Sequence, residues 1–133
     1  MTCRPEGRAL PATLGLALLL AACAGAERAP PPPDPSAAIA PLLGKAEAAM
    51  ASGALGEAAQ ALDAALARAP EDPDLWVAIA RLRFRGGEHL TALEAADHAL
   101  ALRPDHASGL LLRALMVRDV HGFAAARPWF VAA

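Results

Sequence analysis

Four histidines, three serines, two cysteines and a glycine pair are the side chains and turns that could do chemistry in this 133-residue sequence. The histidines are His89, His98, His106 and His121. None sits in an H-E-x-x-H pattern, and the cysteines are far from them, at Cys3 and Cys23. Their spacing implies solvated or helix-end positions and no metal. Ser36, Ser52 and Ser108 lie outside any nucleophile elbow. Gly86-Gly87 lacks both a preceding strand and a following Gly-Lys-Ser/Thr, so it does not cradle phosphate. The expectation is a protein that is not an enzyme and carries no cofactor. A formal charge of −2 also argues against a nucleic-acid partner.

Cys23 is different, because its neighbours give it a context. Arg4 and Arg8 precede an apolar run from Leu10 to Ala22. A bilayer-spanning helix needs about 20 apolar residues, so this run is too short to span and has the length of a signal-peptide core. The run ends Leu20-Ala21-Ala22-Cys23, which resembles the bacterial lipobox. The resemblance implies a signal peptide over residues 1–22, cleavage before Cys23, and acyl chains (palmitate among them) on that cysteine. An ordinary secretory signal with an incidental Cys23 is the alternative. Each buried methylene contributes about 0.8 kcal/mol, so two or three chains would hold the protein on a membrane essentially permanently. Ala24, rather than an aspartate, follows the cysteine. By the same resemblance, this places the protein in the bacterial envelope, anchored to the outer membrane and facing the periplasm.

Residues 23–38 then form a linker carrying Pro30, Pro31, Pro32, Pro33 and Pro35. Consecutive prolines lack amide hydrogens and favour an extended polyproline II path of about 3.1 Å per residue, giving a reach of roughly 40 Å from Cys23 to Ser36.

The rest of the chain sets out how any functional surface would be built. Of the 133 residues, 37 are alanine and none is tyrosine, a composition suited to closely packed helices and not to a β-sandwich or barrel. When 39–72 is laid over 73–106, nine positions match. Five are alanine on alanine; the others include Gly53 on Gly87, Asp63 on Asp97 and Pro70 on Pro104. Trp76, Ile79, Ala80, Ala92, Ala96, Ala99 and Pro104 together resemble the tetratricopeptide repeat, a helix–turn–helix unit of the same length. Arg83 departs from it, standing where an aromatic is expected, with Phe84 beside it. The first unit, without the tryptophan, carries Leu42, Ala46, Ala58, Leu62, Ala65 and Pro70. A partial third, 107–133, carries Leu110, Ala114, Ala126, Phe130 and Ala133 and reaches no closing proline.

The fold expected is therefore an all-α, tetratricopeptide-like solenoid of about three repeats over 39–133. Ala46, Ala80 and Ala114 are small where paired helices would press together. Ser52-Gly53 and Gly86-Gly87 supply the turns, and Asp72-Pro73-Asp74 a helix start. Helices are predicted near 40–52, 55–68, 74–85, 89–102 and 107–120. A sixth near 123–133 is opposed by Pro128, since an interior proline costs about 3 kcal/mol.

The resemblance implies a concave groove lined by first helices, which would take a protein or an extended peptide. Its residues would be Leu43, Glu47, Met50, Val77, Arg81, Phe84, Arg85, Leu111, Leu115 and Arg118, an apolar floor with arginines along one side for polar or acidic groups of the ligand. Arg83 would only solvate its helix. The asparagine-and-lysine set that clamps a terminal carboxylate in chaperone-binding relatives is absent. Residues 39–72 carry two basic and five acidic residues, and 107–133 three basic and one acidic. Such a gradient suits an oriented partner or head-to-tail stacking of copies. The function expected is a membrane-tethered interaction module of an envelope complex, similar in plan to lipoproteins serving type IV or Flp-type pilus and secretin assembly. The alternative is a structural lipoprotein that self-associates through its C-terminal end as a homo-oligomer.

Overall fold

The computed structural model describes residues 34–133; the expected signal peptide, Cys23 and most of the proline run lie outside them. Six helices follow one another: α1 (Pro35–Ser52), α2 (Leu55–Leu66), α3 (Pro73–Arg85), α4 (His89–Leu102), α5 (Ala107–His121) and α6 (Phe123–Ala132). They pack as neighbouring pairs, α1 on α2, α3 on α4 and α5 on α6, and the pairs join chiefly where α3 meets α2 and α5 meets α4. The fold is all-α and repeat-like, with no strand among the described residues.

Alanine sets the spacing of each pair. Ala46, Ala80 and Ala114 have no exposed surface, and neither do Ala58, Ala92 and Ala126 on the partner helices. Both series recur once per repeat unit. A methyl group at the contact lets two helix backbones approach closely, while larger residues such as Ile39, Leu62 and Leu75 fill the spaces beside it.

The turns follow from local chemistry. Gly53 has φ 80° and Gly87 φ 82°, left-handed conformations that favour glycine. At each, two backbone bonds close the helix end: Gly53 N–H to Met50 O and Ala54 N–H to Ala49 O, then Gly87 N–H to Phe84 O and Glu88 N–H to Arg83 O. This is the Schellman arrangement, which satisfies the last helical carbonyls. Asp72 caps α3, its carboxylate accepting from Leu75 N–H at 3.1 Å, with Pro73 at the first helical position as predicted.

Two expectations about proline fail. The extended path predicted through residue 38 ends earlier, because α1 begins at Pro35. Proline is well placed in a first turn, Asp34 accepts from Ser36 N–H at 3.0 Å, and Ile39 is drawn fully into the core. Pro41 then falls inside α1 and leaves only the Ala37 carbonyl without its helical donor. The sixth helix also forms despite Pro128. Here the orphaned acceptor is Ala124 O, and packing offsets the loss. Ala126 is fully buried, and the Arg113 guanidinium lies 4.0 Å above the Trp129 ring.

If Ala80 sits at a close helix contact, Ala80→Leu should overpack it and cost about 1–3 kcal/mol. For a domain of this size, each kcal/mol lowers the midpoint by roughly 4–8 °C. Thermal melting of a 34–133 fragment by circular dichroism checks this; an unchanged midpoint would mean that the contact is looser than described.

Candidate functional site

An open cleft of about 460 Å³ runs beside the first helices of the pairs. Its floor is Ala40, Leu43 and Gly44 from α1 with Val77 and Ala78 from α3. Ser36, Asp72, Asp74 and Ser108 line it at the end where α1, α3 and α5 begin, and Glu47 and Arg81 lie further along. Leu43 and Val77 hold equivalent positions in successive units, as do Glu47 and Arg81, so the repeat brings both pairs into one surface.

Long-range polar contacts fix the relative positions of the helices here. Ser36 Oγ donates to Asp72 Oδ2 at 2.5 Å, tying the start of α1 to the cap of α3. His106 makes the corresponding tie in the next unit. It is 5% exposed and caps α5, its Nδ1 accepting from Gly109 N–H at 3.1 Å. An Nδ1 that accepts leaves the ring proton on Nε2, which donates to Asp74 Oδ1 at 2.9 Å. His106 is thus a helix-end residue, as its sequence position implied, and is buried.

Four of the ten expected groove residues meet in this cleft: Leu43, Glu47, Val77 and Arg81. Val77 is 3% exposed, so it offers a floor and little reach. The others divide. Met50 is buried in the core, and its side chain faces no groove. Leu111 is 46% exposed and Leu115 half-buried on α5, neither lining the cleft. Arg118 pairs with its own neighbour Asp119 at 2.8 Å. Phe84 turns to a separate apolar hollow of about 280 Å³ shared with His89, Leu90, Leu93, Met116, Val117, Val120 and His121. Its ring meets that of His89 edge-on at 5.1 Å.

The arginines also depart from expectation. Arg81 Nη1 donates to Glu47 Oε1 at 3.2 Å, between α3 and α1. Arg85 Nη1 donates to the Met50 carbonyl at 2.7 Å, supplying the end of α1 with a cation. Arg83, expected only to solvate its helix, is half-buried and donates to Thr91 O at 3.2 Å, joining α3 to α4. The row of arginines is largely an internal fastening. Of the remaining histidines, His98 packs on Trp76 with ring centroids 4.2 Å apart. Trp76 itself donates from Nε1 to Pro70 O at 2.7 Å.

Sequence reasoning missed Ser36, Asp72, Asp74 and Ser108 as cleft residues. The aspartates were legible as a helix start; their second use depends on Ser36 and His106, which belong to other units. No group of histidine, cysteine and acidic side chains suited to a metal occurs among the described residues. Nor is any of their helices long and apolar enough to cross a membrane. The chain matches no family model and no curated protein.

Proposed function

We propose that this protein is a membrane-tethered interaction module, anchored through Cys23, which docks an extended segment of a partner protein in the cleft between α1 and α3 as part of an envelope assembly. One observation carries the docking reading: an open cleft with an apolar floor flanked by polar side chains, held in shape by ties between helices of different pairs. A surface of this sort presents a rigid template and loses little conformational entropy on binding. The tether rests on the lipobox-like run before Cys23 and the prolines after it. The tetratricopeptide-like periodicity supports a binding rather than a catalytic role. Pilus or secretin assembly is the system suggested by the general plan alone.

Self-association is the second reading, and the C-terminal pair favours it. Phe123 is 66% and Val131 80% exposed on α6, with Val120 also open at the end of α5. Sedimentation of the detergent-solubilised chain across a range of concentrations separates the two readings. A stable monomer excludes the second.

The docking reading is tested by filling the cleft. A Cβ added at Gly44 meets no neighbouring atom within 4 Å and opens onto the cleft, so Gly44→Trp should be tolerated on α1 while its ring occupies the space beside Leu43. Its recovery of the protein that co-purifies with the tagged, lipidated wild type should fall at least tenfold, whereas Gln60→Trp on α2 should recover it normally. Equal recovery by both variants would remove the cleft from consideration.

The anchor is tested separately. Cys23→Ser should abolish labelling by radioactive palmitate and leave an uncleaved precursor. Undiminished labelling would end the lipoprotein reading.

A further inference from the structure

We propose that the cleft selects a cationic segment: an extended polypeptide with two lysine or arginine side chains about three residues apart and small or apolar residues between them. This rests on the docking reading above and adds the chemistry of the ligand. It reverses the expectation from sequence, in which arginines would receive acidic groups. Those arginines are engaged, Arg81 by Glu47 and Arg85 by the Met50 carbonyl.

What remains in the cleft is negative. Glu47, Asp72 and Asp74 face one cation, Arg81. Asp72 is occupied by Leu75 N–H and Ser36 Oγ, and it offsets the roughly half-unit positive charge at the start of α3. Asp74 and Glu47 are the accessible acceptors, with side chains 58% and 60% exposed. Each uses one carboxylate oxygen, and among the described residues nothing donates to the other. His106 does not cancel Asp74, since its Nδ1 accepts from Gly109 N–H and the ring is neutral in that arrangement.

The spacing supplies the pattern. Asp74 opens α3, and Arg81, which holds Glu47, stands seven residues on, a rise of about 10 Å. A polyproline II segment returns to the same side every third residue after about 9 Å. The two repeats are close in length, so cations at i and i+3 suit Asp74 and the Glu47 carboxylate held by Arg81, with the intervening residues over Leu43 and Val77.

The test uses the full chain in an uncharged detergent and three fluorescent ten-residue peptides of alanine and leucine. They differ only in a pair at i and i+3: two lysines, two glutamines or two glutamates. Fluorescence anisotropy should show the lysine peptide binding at least tenfold more tightly than the glutamate peptide, with a preference that shrinks as salt rises. Asp74→Asn combined with Glu47→Gln should remove that preference. Tighter binding of the glutamate peptide, or a lysine preference that survives the double substitution, overturns the proposed chemistry while leaving the docking reading in place. If Gly44→Trp alters the binding of none of the peptides, the docking reading falls and this inference falls with it.

Discussion

Close approach of paired helices through alanine is the constraint on which the other features depend. Ala46 with Ala58, Ala80 with Ala92 and Ala114 with Ala126 recur at one interval and admit no solvent. A methyl group contributes little transfer free energy by itself, on the order of 0.8 kcal/mol. Its importance is geometric, because any larger residue separates the backbones and shifts every tie that crosses between pairs. The cleft exists at its present width because those pairs are tight and the first helices α1 and α3 consequently stand side by side.

Polar ties then convert a stack of helices into a defined surface. Ser36 on Asp72 and His106 on Asp74 join the starts of successive first helices, while Arg85 on the Met50 carbonyl joins their ends. The first two combine a helix cap with a contact between units, so capping and stacking reinforce one another. Exposed ion pairs contribute little, typically about 0.2–1 kcal/mol, and Arg81–Glu47 is of that kind. The buried His106 contributes more to position, since losing it would strand the Gly109 N–H in the interior.

Features encoded within a few residues were legible in the sequence. Gly53, Gly87, Pro70, Pro104 and the Asp72-Pro73 start mark helix ends by local backbone chemistry, and the alanine series marks the paired faces. Features decided by distant partners were not legible. Pro35 reads as the end of a proline run until the burial of Ile39 and the Ser36–Asp72 contact are known. Pro128 reads as a breaker until Trp129 is seen beneath Arg113. Phe84 shares a helical face with Val77 by periodicity, yet its ring goes to His89 and Met116 on other helices. The cleft could be placed on α1 and α3, but its sign could not. The fate of Arg81 and Arg85 depends on partners on α1, a whole unit earlier in the chain.

The turn within the last helix pair is closed differently from the other two. The Gly53 and Gly87 turns each close the first helix with a crossed pair of backbone bonds, whereas Gly122 N–H bonds to Arg118 O at the end of α5 and Gly122 O accepts from Ala126 N–H at the start of α6. That last helix is ten residues long, lacks one internal bond at Pro128, and among the described residues packs on α5 alone. In a linear array each element is held by those it touches, so opening begins where neighbours are fewest. The amides of α6 are therefore the first to trade hydrogen for deuterium in heavy water, and exchange advances from that end towards α1.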